Sequence, residues 1–173
     1  MQPYAIAARA FTLTQLCWPH LLMLAEHREL DIHPATKLLN KTNSWLRGEL
    51  KSEANLQRFF DDFADWREQL EQHDSLADDI ADLTLSSLFC AAEACLGGAS
   101  EEDWQLLQQW LQQLQQTSPL EGEPLHAYWN ELMSEQDELL GEEPQKPLAK
   151  AYFHWLAQQP ATPFGAALHE ADD

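Results

Sequence analysis

The stretch "SLADDIADLTLSSLFCAAEACLGG", residues 75–98, decides the fold of this chain. Ser75 stands just before an apolar run, with Asp78 three residues on. Serine at that place accepts a hydrogen bond from a free helix N–H, and an acid at the third position reaches back, as in a capping box. Gly97-Gly98 closes the run, because glycine takes the left-handed conformation a helix end needs. Between these signals lie Ser86, Ser87, Cys90, Ala91, Ala92, Ala94 and Cys95. Side chains this small let neighbouring helices come close, which predicts the central and most buried helix of a bundle.

The flanking segments carry helical periodicity. "LQRFFDDFADWREQL" places Leu56, Phe59, Phe63, Trp66 and Leu70 on one stripe, with Asp61, Asp62, Asp65 and Glu68 largely off it. "SEEDWQLLQQWLQQLQQ" repeats the start signal at Ser100 and turns Trp104, Leu107, Leu111 and Leu114 inward. Its glutamines are helix formers on a solvated face. "TSPLEGEP" and "EEPQKP" are breaks, and between them a helix led by Pro124 buries Leu125, Trp129, Leu132 and Leu140. "PLAKAYFHWLAQQ" gives a last short helix. Upstream, Pro3–Phe11 and Thr36–Leu50 read as short helices, and Pro19 begins or kinks a helix running from near Thr12.

The chain has no valine and no alternating run of β-formers, so no strand is expected. The expectation is an all-α, single-domain bundle of about six to seven helices around a central small-residue helix, residues 76–96. The domain should cover residues 1–159, with 160–173, "PATPFG" included, as a loosely ordered acidic tail.

At 173 residues with 45% hydrophobic content the chain can bury a sizeable core. Its net charge of −19 is unevenly spread. Residues 1–60 carry seven Lys/Arg against five Asp/Glu, and no lysine or arginine falls between Arg67 and Lys146. Such a surface repels phosphate backbones and anionic lipid, so neither nucleic acid nor a membrane is an expected partner. Three cysteines in no disulfide framework suit a reducing cytoplasm. The start "MQPYAIAARAF" has no basic region followed by an apolar one, and residues 83–99 are too short and too interrupted to span a bilayer.

Four constellations raise the question of chemistry. Cys17, His20 and His27 sit in "CWPHLLMLAEHREL". The two histidines are seven residues apart, roughly 10 Å along a helix, too far for one zinc ion. Cys17–His20 has a usable spacing, though Pro19 distorts it. Glu123 and His126 form a Glu-x-x-His pair with no second copy, which a di-iron bundle requires. Cys90 and Cys95 point about 140° apart and act as small core residues. Asp78, Asp79 and Asp82 could make an acidic pocket with Glu93, although a solvated helix face is the plainer reading. No catalytic, metal-ligating or cofactor-binding residue is therefore expected.

The candidate interaction surface comprises Asp78, Asp79, Asp82, Glu135, Asp137, Glu138, Tyr152 and Trp155. Trp18 is expected in the core, against the central helix near Ala91, Ala92 or Cys95.

Leu13, Leu16, Trp18 and His20 follow a Leu-x-x-Leu-x-Trp-x-His order, "SLFCAAEAC" ends in Glu93-Ala94-Cys95, and "EPLHAYWNELMSEQDELL" is a Pro-led helix with a Trp. Over about residues 13–140 these resemble the YjaG-like bacterial family, an all-helical domain without an established reaction. The resemblance implies an all-helical fold and a bacterial cytoplasmic setting, and it transfers no catalytic residue. The leading functional expectation is a non-enzymatic acidic module that binds a protein partner, a basic one by charge complementarity. The alternatives are an acidic neutraliser of a basic protein, imitating phosphate, and a helical-bundle metalloprotein using His20, His27, Glu123, His126 and Cys17.

Overall fold

The first helix, α1, runs unbroken from Pro3 to Arg28, and everything else is arranged along it. In the computed structural model, which describes residues 1–117 and 122–165, six more helices follow. They are α2 (His33–Leu46), α3 (Glu53–Glu68), α4 (Leu76–Cys95), α5 (Glu101–Thr117), α6 (Gly122–Leu140) and α7 (Lys150–Ala157). The described residues contain no strand, and the fold is all-α with one core.

Two short helices joined near residue 12 were expected where the single α1 stands. The reason is local. Pro3 suits the first helical turn, the following Ala-rich run carries no breaker, and Thr12 and Thr14 turn their hydroxyls back onto Ala8 and Ala10 carbonyls. Pro19 forfeits only the bond to the Gln15 carbonyl, and both residues are partly exposed, close to solvent. The helix closes in a Schellman motif in which Leu30 N–H reaches Ala25 C=O and Glu29 N–H reaches Glu26 C=O. Glu29 occupies the left-handed position, with φ of 52°, where glycine is usual.

The quoted stretch forms α4 as expected. Ser75 Oγ accepts from the Asp78 N–H at 3.2 Å. At the other end Gly98 N–H bonds Glu93 C=O and Gly97, with φ of 87°, bonds Ala94 C=O. Ser100 and Asp103 form the reciprocal box that starts α5.

Helices α1 and α4 are antiparallel along their whole length. Arg28 meets Asp78 at one end, Cys17 lies beside Thr84 in the middle, and Tyr4 lies near Cys95 at the other end. Small side chains line the seam: Ala10 shares the Cys17 face of α1, Ala91 shares the Thr84 face of α4, each by a spacing of seven, and both are buried. Helices α2 and α3 pack beside α4 on one side, and α5, α6 and α7 complete the other. The connection after α6 is pinned to the end of α2 by Leu148 N–H on Leu46 C=O and Lys146 Nζ on Leu50 C=O.

This register corrects the placement of Trp18. Residue 17 lies opposite 84, so position 18 is about ten residues away from 91–95. Trp18 packs at the edge of the core and stays partly exposed. Trp18→Ala should therefore cost about 1–2 kcal/mol, below the roughly 3–5 kcal/mol of a fully enclosed aromatic. Urea unfolding would check it, and a loss of more than about 3 kcal/mol would return Trp18 to the core.

The segment after α7 is also more ordered than expected. Gln159, Thr162 and Phe164 are buried, so the packed body extends past residue 160. Phe164 brings enough apolar surface to hold the chain down, and the Thr-Pro-Phe-Gly order makes a turn. Residues 166–173, the rest of the expected tail, lie outside the described residues.

Candidate interaction surface

The eight candidate residues do not form one surface. Asp78 at the start of α4 is gripped by both guanidinium nitrogens of Arg28 and by Ser75 Oγ. The Arg28 hydrogen bonds, foremost, hold its carboxyl below the usual carboxylate range. Asp82, one turn on, lies 3.8 Å from Arg67, while Asp79 is half-buried. Glu135, Asp137 and Glu138 are on α6 instead, and Asp137 binds Arg9 at 2.5 Å. Arg9 and Arg28 are 19 residues apart on α1, so the two acidic groups are separated by roughly 28 Å.

Glu93 joins neither group. It lies 15 residues along α4 from Asp78, roughly 22 Å away, so the acidic pocket is not formed. Partial burial, and then the Asp103 charge, raise its carboxyl pKa.

Tyr152 is a correction. It is wholly buried, where a docking role would need it exposed. Its phenol belongs to a polar cluster joining α1, α6 and α7: Tyr152 Oη is 2.7 Å from Thr12 Oγ1 and 3.0 Å from the Ala8 carbonyl, and Thr12 Oγ1 also bonds Gln136 Oε1. Aromatic residues on a short terminal helix turned inward because the other helices leave α7 one face to fill. Trp155 stays half-buried at the rim and donates its Nε1–H to Glu135 at 2.9 Å.

Two of the acidic candidates, Glu135 and Glu138, form a ridge on α6 together with Glu131, which was not among the expected residues. Glu131, Glu135 and Glu138 fall at i, i+4 and i+7, and all three are exposed. Among the described residues none of them has a lysine, arginine or histidine partner.

A basic cluster that the sequence only hinted at lies elsewhere. Lys41 Nζ and the Arg58 guanidinium are each 4.9 Å from the centre of the Phe59 ring, and Lys37 Nζ is 5.9 Å from it. Lys37 and Lys41 share a face of α2 by their spacing. That Arg58 of α3 joins them is set by helix packing and not by any local pattern.

The metal candidates are dispersed. Cys17 is buried against Thr84, and burial drives its thiol pKa well up. His20 Nε2 is 2.9 Å from Thr162 Oγ1, and its ring stands edge-on to Phe164. His27 is exposed on the last turn of α1. Glu123 and His126 line an open groove with Gln112 and Gln116, between α5 and α6. Among the described residues no three His, Cys, Asp or Glu side chains gather in a way that could hold a metal ion. All three cysteines are free and buried, and burial pushes Cys90 and Cys95 up to about 12.

Burial holds His20 below the ordinary imidazole value. As pH falls below about 6.5 the unfolded chain takes up its proton first, so His20 should lower stability progressively on the acid side of that value. His20→Gln should flatten that limb in denaturation midpoints taken at several pH values. An unaltered slope would refute the assignment.

Compared with known proteins, the chain matches no family model, no curated protein and no solved structure. The YjaG-like resemblance thus rests on the short sequence motifs alone. Among the described residues no helix is long and apolar enough to cross a membrane.

Proposed function

We propose that this chain is a non-enzymatic interaction module whose acidic α6 ridge binds a basic surface of another protein. One observation carries the reading: Glu131, Glu135 and Glu138 stand exposed on one helix face, with no cationic side chain of the described chain turned toward them. By contrast, Asp78 and Asp137 are each paired with an arginine. Charges left facing solvent steer association with an oppositely charged partner and raise its rate most at low salt. Trp155, half-buried beside Glu135, adds an amphipathic edge of the kind that anchors interfaces.

A neutraliser that imitates phosphate would gather its carboxylates on a single face, and the separation of the α4 and α6 groups speaks for a narrower, ridge-like contact. The free cysteines suit a reducing compartment, and a bacterial cytoplasm is the proposed setting.

The test is capture of partners from the protein's own cells, with wild type and with a Glu131→Gln, Glu135→Gln, Glu138→Gln variant. At about 50 mM salt the wild type should retain a basic protein that is released near 500 mM, because screening shortens the reach of the charges. The triple variant should lose that protein. Equal retention by both, or none by either, would sink the proposal.

A further inference from the structure

We propose that the slot between α1, α5 and α6 is a peptide-docking site, occupied in cis by the chain's own Thr162–Gly165 turn and able to take a Thr-Pro-aromatic turn from another protein. This site is separate from the acidic ridge, and its proposal does not depend on the function given above.

The occupant is a preformed turn. Thr162 C=O accepts from Gly165 N–H at 3.0 Å, and Thr162 Oγ1 accepts from Phe164 N–H at 3.2 Å. Pro163 fixes the second position, and Gly165 takes a φ of 86°. A segment locked in this way loses little conformational freedom on docking, which is what makes short peptides good ligands.

The slot reads this turn almost residue by residue, and does so with side chains from three different helices. Tyr128 of α6 donates its hydroxyl to Ala161 C=O at 2.8 Å. His20 of α1 bonds Thr162 Oγ1, and its ring meets Phe164 with centroids 5.6 Å apart at 86°. Gln115 of α5 donates Nε2 to Pro163 C=O at 2.8 Å. Its amide also bonds Leu125 C=O at 3.4 Å, which fixes which end of the carboxamide faces the peptide, since two carbonyls demand the NH₂ side. Thr162 and Phe164 fill the slot and are 0% and 4% exposed.

Tyr128, His20 and Gln115 are each carried by a helix of the bundle, so the three polar groups belong to the slot and not to the turn. The gripping groups are a phenol, an amide and an imidazole. The slot therefore suits an uncharged turn carrying a hydroxyl residue before Pro and an aromatic residue after it.

A tethered occupant competes at an effective concentration in the millimolar range. A free peptide should therefore bind the wild-type chain weakly, and should bind tightly once the tethered turn is disabled. The experiment uses the full chain carrying Thr162→Ala and Phe164→Ala, with the fluorescein-labelled peptide Pro-Ala-Thr-Pro-Phe-Gly followed by anisotropy. The variant should bind it at least about tenfold more tightly than wild type. A peptide with alanine at the Thr and Phe positions should not bind, and adding His20→Ala to the variant should abolish binding. A variant with wild-type helical circular dichroism that ignores the peptide, or takes the alanine peptide equally well, overturns the proposal. Should the variant not fold, the wild-type chain is titrated with unlabelled peptide to about 5 mM while the His20 ring protons are followed by NMR. A saturating shift supports the slot, and unmoved protons overturn it.

Discussion

Tyr152→Ala should lower the unfolding free energy by about 3–5 kcal/mol, the range for a large aromatic removed from a closed core. The side chain is 0% exposed, with the Phe153 ring 5.1 Å and the Trp155 ring 6.0 Å from its own. Beyond volume, the change would strip the phenol from a cluster that ties three helices together. Two hydroxyl protons, of Thr12 and Tyr152, serve Gln136 Oε1 and the Ala8 carbonyl, with the hydroxyls also in contact with each other. Tyr152→Phe keeps the ring and removes one of those protons, so it should cost about 1–3 kcal/mol, the cost of leaving a buried acceptor short. Urea denaturation at unchanged m-value separates the two variants. Should Tyr152→Ala unfold at the wild-type midpoint, the residue is not in the core, and an exposed docking role for it becomes tenable again.

That cluster also shows where sequence reading stops. Capping residues and apolar stripes are local, so α4 and α5 were legible from Ser75, Gly97, Ser100 and the spacing of Trp104, Leu107, Leu111 and Leu114. The continuity of α1 through Pro19 was not, because a proline reads as a break unless one knows that its turn faces outward. Partner choice across helices is less local still. Nothing near Tyr152 in the sequence names Thr12, 140 residues away, and without that partner an aromatic on a short terminal helix reads as a docking residue.

The candidate surface divides in the same way. The acidic character of residues 61–143 is plain in the sequence, but which acids are already neutralised depends on where the few cations fall. Arg9, Arg28 and Arg67 each reach an acid that is 128, 50 or 15 residues distant, and only the fold selects Asp137, Asp78 and Asp82 as the neutralised ones. Among the acids left without such a partner, Glu131, Glu135 and Glu138 line up on one face of α6. The turn at residues 162–165 was likewise encoded, by Thr-Pro-Phe-Gly, yet its burial depends on His20, Gln115 and Tyr128 from three distant helices.

The close approach of α1 and α4 makes the strongest demand on the sequence, and Ala10→Leu tests it. The antiparallel register, Tyr4 near Cys95 and Cys17 beside Thr84, sets position 10 across from about 89–91. Ala10 shares the Cys17 face of α1 and Ala91 the Thr84 face of α4, each by a spacing of seven, and neither has exposed surface. Three added carbons have nowhere to go except between the helices. Separating them would disturb a seam that runs along α4. Overpacking a core typically costs about 1–3 kcal/mol, and a site closed on both sides belongs at the upper end, so a loss of about 3 kcal/mol is expected. Ala10→Gly offers the contrast. It adds no volume and should cost about 1 kcal/mol, mainly through helix propensity. If leucine is borne at position 10 within about 0.5 kcal/mol, the range of an ordinary surface change, then the two helices do not meet through their alanines and the small residues of 86–95 serve some other purpose.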